Sequence, residues 1–252
     1  MRCLVLSGGA FRGAAQLPVI EHLVQQHKYD YIYGVSVGAI NASMVAQDEL
    51  PQLRAMWEDM NSIGGFLQLK WYWPFQGAYS MAPLRKKIED LVSLKRIKTP
   101  LGVGLASLTD NGYYNLDTST IFSNKQLWDA LHASCSIRGL MVTPTIQIQG
   151  TLHRGSDGGF LNSLPIPPSK GFKNIDVISC VPFSDKNKAG PDIINGSIRT
   201  VDIAALKYMH PQADIRLYHP AVDLGPSFLA NKKTIRWRMD QGKLMIKNPI
   251  TV

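Results

Sequence analysis

Twice before Gln47 the chain passes from a short apolar segment into a glycine-rich turn and then into helical spacing, and this pattern constrains its fold most. Arg2 to Leu6 is the first such segment, followed by Ser7-Gly8-Gly9-Ala10-Phe11-Arg12-Gly13. Leu17, Ile20, Leu23 and Val24 then recur at the helical period. Tyr31 to Gly34 is the second segment; it runs into Gly34-Val35-Ser36-Val37-Gly38, after which Val37, Ile40, Met44 and Val45 describe one apolar stripe. Strands joined through helices are parallel, because a parallel pair needs a long crossover and a helix supplies it.

Alternation of this kind continues along the chain. Leu50 to Met60 and Pro83 to Val92 read as helices, the latter with proline in its first turn. Leu101 to Ser107 is a strand, returned by the polar turn Asp110-Asn111-Gly112. Asn124 to Ala133 is helical, and Thr145 to Gln149 with Leu152 to Arg154 form a hairpin about Gly150. Asp176 to Cys180 and Ile215 to Tyr218 are buried strands, and Phe228 to Asp240 is a closing helix. The expected fold class is α/β, a mostly parallel sheet covered on both faces. Pro165 to Gly171 and Ser184 to Gly196 read as loops within one domain that spans residues 1–252.

Composition excludes several classes. The hydrophobic share of 45% and charged share of 18% fit a filled core and exclude disorder. No apolar run reaches the roughly 18 residues that span a bilayer. The apolar run at Met1 to Leu6 stops at Gly8, too short for a secretory leader, so a cytoplasmic protein is expected. A net charge of +8 favours encounter with anionic lipid or nucleic acid. No zinc spacing or aromatic RNA-binding motif accompanies it, and nucleic acid is not expected as a partner. Cys3, Cys135 and Cys180 are odd in number and each sits among apolar neighbours, which reads as buried reduced thiols.

Three short constellations carry chemistry. In Gly34-Val35-Ser36-Val37-Gly38 a serine occupies a strand-to-helix turn, and flanking glycines permit the sharp bend that lifts its hydroxyl clear. In Ser7 to Gly13 small residues let backbone N–H groups converge near a helix start, where they stabilise an oxyanion or a phosphate. A plain βα turn or a nucleotide loop would look similar, but no Gly-Lys-Ser/Thr follows and no acidic residue ends the second strand. Arg12 either adds charge at a lipid phosphate or braces the loop. In Ser156-Asp157-Gly158-Gly159 the aspartate is either a turn residue or, beside an activated serine, its base. As a base it should be shielded enough to raise its pKa. The six histidines (His22, His27, His132, His153, His210 and His219) read as structural, although His210 or His219 could formally complete a triad.

Together these residues resemble the patatin-like phospholipases. Gly8-Gly9-Ala10-Phe11-Arg12-Gly13 resembles the family's G-G-G-x-[KR]-G motif, Gly34 to Gly38 its nucleophile turn, and Asp157-Gly158-Gly159 its D-G-[GA] motif, in the family's order. Ala133-Ser134-Cys135-Ser136-Ile137 and the run from Leu161 to Pro165 extend the resemblance. It implies a three-layer α/β/α domain, a catalytic Ser36–Asp157 dyad, no metal or other cofactor, and hydrolysis of acyl esters in phospholipids or neutral glycerolipids. It also implies that the N–H groups of Gly8, Gly9 and Ala10 form the oxyanion hole, with Val37 as a further donor. Ala10 departs from the motif's third glycine, and Arg138 stands where many members carry proline.

A lipid substrate needs an apolar entrance, and Leu67, Leu69, Trp71, Tyr72, Trp73 and Phe75 form a dense stretch between Gly65 and Gly77. It reads either as a peripheral membrane-docking surface or as satellite core. Two other functions share these motifs: an acyltransferase using the same acyl-serine, and a non-catalytic anion- or lipid-binding protein.

Overall fold

The structure, a computed structural model, describes residues 1–70, 77–184 and 198–252. Nine strands form its main sheet: β1 (Arg2–Leu6), β2 (Tyr31–Val35), β3 (Leu101–Ser107), β4 (Tyr113–Asp117), β5 (Thr145–Ile148), β6 (Thr151–Asp157), β7 (Asn174–Ile178), β8 (Asp214–Tyr218) and β9 (Ile250–Thr251). Their order is β9-β8-β7-β1-β2-β3-β6-β5, with β4 also paired to β3. From β8 to β3 every pair is parallel, and the pairs beyond are antiparallel. The sheet is therefore mixed but mostly parallel at its centre, flanked by helices in a three-layer α/β/α arrangement. Where β1 and β2 end side by side, Leu6 faces Gly34 across the ladder. Both glycine-rich turns thus leave the sheet together at its carboxyl edge, the place where open α/β sheets hold ligands.

Alternate residues of the central strands feed two separate cores. Leu4, Leu6, Ile32, Val103 and Ile178 face a large layer built with helices α1 (Gln16–Gln26), α2 (Val37–Ala46), α3 (Leu50–Glu58), α4 (Ala82–Leu91) and α5 (Asn124–Ser134). Cys3, Val5, Tyr33, Val177 and Leu217 face a smaller layer that includes Ile203 and Leu206 of α6 (Thr200–Met209). Helix α7 (Lys232–Met245) joins the larger layer through Ile235, Met239 and Met245. Among the described residues no helix is long and apolar enough to cross a membrane.

Several local expectations shift. Helix α2 was read as amphipathic, yet Gly38 to Ala46 are buried all round, because the helix sits inside the layer rather than on it. The closing helix starts at Lys232, not Phe228, since the Asn231 side chain caps it by accepting from the Thr234 N–H. Pro18 lies in the first turn of α1, where its missing N–H removes no helical bond. Strand β7 starts two residues earlier than expected and stops before Cys180. Helix α6 and the short edge strand β9 were not anticipated. Trp71, Tyr72, Trp73 and Phe75 lie outside the described residues, as does most of the loop expected from Ser184 to Gly196.

Candidate active site

Ser36 sits where β2 turns into α2, with φ 54° and ψ −130°. A side chain in this region of backbone space costs about 1–3 kcal/mol and persists only if its surroundings enforce it. They do. A Cβ on Gly34 would lie 2.3 Å from the Gly38 carbonyl oxygen, and one on Gly38 would lie 2.4 Å from that of Leu6. Only glycine at both places lets the turn close against β1. The Ser36 N–H donates to Ser134 Oγ at 2.8 Å, and that hydroxyl donates to the Gly104 carbonyl at 2.6 Å. The C-terminal end of α5 thereby holds the strained residue in place.

Asp157 ends β6, six residues before a second serine, Ser163, that returns to the same place. Its Oδ2 accepts a hydrogen bond from Ser36 Oγ at 2.7 Å, and its Oδ1 accepts from the Gly159 N–H at 2.8 Å. The Asp157 N–H in turn donates to the Ser136 carbonyl at 2.8 Å. The block Ala133 to Ile137 therefore supports both partners, Ser36 through Ser134 and Asp157 through Ser136. Asp157 is buried, and desolvation lifts its pKa to about 6, against the lowering pull of the Ser36 and Gly159 hydrogen bonds. A carboxylate so tuned is charged at neutral pH and still basic enough to take a proton.

The glycine loop differs in detail from expectation. The Gly8 N–H donates to the Ser163 carbonyl at 3.1 Å, so Gly8 is not a free oxyanion donor. Its place in the motif is steric instead, since a Cβ there would come within 3.3 Å of Ser36 Cβ. Among the described residues the N–H groups of Gly9, Ala10 and Val37 reach no acceptor. Gly9 lines one cavity beside Ser36, Val37 a second, and Ala10 both. Ala10 adopts φ 49°, the left-handed conformation in which its Cβ is a cost rather than a bar. A Cβ on Gly9 would lie 2.5 Å from Cys180 Cβ, so the loop runs tight against β7's end.

Two features that hold this loop were not apparent beforehand. A buried polar chain runs from Trp57 Nε1 to Asn41 Oδ1 (3.1 Å), from Asn41 Nδ2 to Gln16 Oε1 (2.8 Å) and from Gln16 Nε2 to the Ser7 carbonyl (3.0 Å). Asn41 also reaches the Gly13 carbonyl, so both ends of the loop are bolted to helices. Arg238, in a helix that also carries the exposed Lys232 and Arg236, is fully buried and donates to the carbonyls of Leu224, Leu229 and Pro226. Burial and the Arg12 cation pull its pKa down to about 10. Arg12 itself donates to the Gly225 carbonyl at 2.8 Å and lies 3.5 Å from Asp223. Of its two readings, bracing is the one the geometry displays.

Two cavities meet at Ser36. One, of about 30 Å³, is the more polar of the two, its largely apolar wall broken by Arg12, Asp157, Ser163 and Ser227. The other, of about 70 Å³, is apolar and is walled by Phe11, Ile40, Met56, Phe66, Leu67 and Met141. Ala10, Ser36, Ile137 and Phe228 line both. No histidine lines either; His210 is tied to the Pro167 carbonyl and His219 lies beside Phe183 and Pro220. The three cysteines are free and buried, and burial pushes their thiols up, Cys180 to about 12. Arg138 is exposed. No group of residues suited to a metal ion occurs among the described residues.

The family model described as patatin-like phospholipase matches residues 4–169, a stretch that includes Ser36, Asp157 and both glycine motifs. Patatin-like phospholipase domain-containing protein 7 from Rattus norvegicus is 28% identical over 183 residues, covering 69% of this chain but only 13% of the rat protein. Among solved structures, VipD from Legionella pneumophila superposes with a TM-score of 0.47 at 12% identity, over 100% of this chain and 68% of the other.

Proposed function

Because the chain belongs to the patatin-like phospholipase family, and its kind of activity is lipid acyl hydrolysis, we propose that it cleaves fatty acyl esters through a Ser36–Asp157 dyad. The observation that carries this reading is the 2.7 Å hydrogen bond between a strained serine and a buried carboxylate, at the junction of a polar and an apolar cavity. The acyl chain enters the apolar cavity, which places its carbonyl beside Ser36. Ser36 Oγ attacks the carbonyl carbon as Asp157 accepts the hydroxyl proton. The developing oxyanion is met by the N–H groups of Gly9, Ala10 and Val37, each of which supplies charge stabilisation without reorganisation. Collapse breaks the bond to the alcohol, which leaves with the proton from Asp157. A water then attacks the acyl-serine, again giving its proton to Asp157, and fatty acid departs as Ser36 regains its hydrogen.

In this reading Arg12 holds the loop that carries Phe228, and a headgroup phosphate would have to displace Asp223 to reach it. The substrates are phospholipids or other acyl-ester lipids, met by peripheral contact with a membrane, and residues 1–252 act as one domain. The test is turnover on a mixed panel of phospholipids, lysophospholipids and neutral glycerolipids. Ser36→Ala and Asp157→Asn should each lose at least ~100-fold while remaining folded, since nucleophile and base act as a unit. Full activity in either variant would defeat the dyad.

A further inference from the structure

Ser163 lines the same cavity as Ser36 and Asp157, and the scheme above gives its hydroxyl no part. After Asp157 the chain makes a short helical turn, with the N–H groups of Leu161 and Asn162 both donating to the Gly158 carbonyl, and this curl brings Ser163 back to the polar cavity. Its backbone carbonyl is engaged with Gly8. Its hydroxyl, on a residue only 7% exposed, has no hydrogen-bond partner among the described residues. A buried hydroxyl left unpaired carries its full desolvation penalty, so such groups are found where a water or a ligand completes them.

Cavity size narrows what that ligand is. A water needs about 10–15 Å³ of free volume and two to four polar partners. The polar cavity offers about 30 Å³, with Ser163 and Asp157 both on its wall. It accommodates one or two waters, or the oxygen of an alcohol. With the acyl chain in the apolar cavity, the neighbouring cavity that holds Asp157 and Ser163 is the one left for the oxygen that leaves and the oxygen that arrives.

We propose that the Ser163 hydroxyl hydrogen-bonds this transient oxygen, first as the alcohol leaving the ester and then as the water that attacks the acyl-serine. The inference rests on the Ser36–Asp157 reading and adds a third side chain that touches reacting atoms. In the second half the water oxygen bonds to the acyl carbon, its proton passes to Asp157, and the bond from carbon to Ser36 Oγ breaks as Asp157 returns the proton. Ser163 orients the water throughout and neither gains nor loses a proton overall.

The experiment compares wild type with Ser163→Ala, using rapid mixing with p-nitrophenyl butyrate and labelling by a fluorophosphonate. Both reagents acylate or phosphonylate Ser36 and expel a good leaving group that departs without help from the Ser163 hydroxyl, so this first step should change little in rate. Steady-state release, which needs the water, should fall by ~10- to 100-fold, leaving a full burst followed by a slow phase. If labelling and turnover fall together, Ser163 is merely structural and the proposal is overturned. Unchanged steady-state turnover overturns it equally. A wild-type protein that neither labels nor turns over would instead defeat the dyad, and this inference with it.

Discussion

A buried carboxylate kept for chemistry weakens the protein that carries it, and the size of that cost follows from Asp157. Its pKa climbs from an ordinary 3.8 to about 6 because burial disfavours the charged form. At ~1.4 kcal/mol per pH unit, this climb amounts to about 3 kcal/mol. The direction is fixed by linkage: the native state holds the proton more tightly than the unfolded chain. Stability from this group is therefore fully present below pH 3.8 and is lost as pH rises through about 6. Asp157→Asn keeps the shape, retains an oxygen for the Gly159 N–H, and never ionises. It should be more stable than wild type by about 3 kcal/mol at pH 8, and by less than ~1 kcal/mol at pH 4. Urea denaturation of both proteins at the two pH values measures this directly. A variant no more stable than wild type at pH 8, or a difference that fails to shrink towards pH 4, would refute the reasoning.

Other outcomes follow from the same geometry. Hydrolysis of a soluble ester should rise about tenfold between pH 5 and pH 7 and then level off, as Asp157 ionises near pH 6; a pH–rate profile flat across that range would speak against a carboxylate base. Ser134→Ala removes the acceptor for the Ser36 N–H and a donor to Gly104, which should cost about 2–4 kcal/mol in denaturation and lower kcat with it. Arg238→Met leaves the Leu224 and Leu229 carbonyls unpaired, Pro226 keeping the Leu229 N–H, and should destabilise by about 2–6 kcal/mol. Gly38→Ala drives a Cβ to 2.4 Å from a backbone oxygen, and should yield little folded protein on expression, as read by circular dichroism.

What the sequence disclosed, and what it hid, divides along the range of the interactions involved. The two strand–turn–helix units were legible because hydrophobic period and glycine placement are local, and Gly34 and Gly38 declare the turn whatever lies elsewhere. The turn at Asp110-Asn111-Gly112 was legible for the same reason, and Asn111 does take a left-handed φ of 57°. Contacts made across the fold left no such mark. Nothing near Gly8 signals that its N–H is taken by Ser163, and nothing near Arg238 distinguishes it from the exposed Lys232 and Arg236. The polar chain through Trp57, Asn41 and Gln16 joins residues from three helices, each unremarked in its own segment. Strand β9 and helix α6 were missed because one is two residues long and the other carries a weakly patterned run. The pairing of Ser36 with Asp157 was anticipated from motif order, while its support by Ser134 and Ser136 required the packed fold.

Everything in the catalytic reading depends on Ser36 being the atom that is acylated. Mass spectrometry of the protein after brief exposure to a fluorophosphonate, followed by peptide mapping, reads this without assuming a natural substrate. The account predicts one adduct, on the peptide that contains Ser36, absent in Ser36→Ala and formed ~100-fold more slowly in Asp157→Asn. An adduct on another residue, or one that survives unchanged in Ser36→Ala, would contradict it.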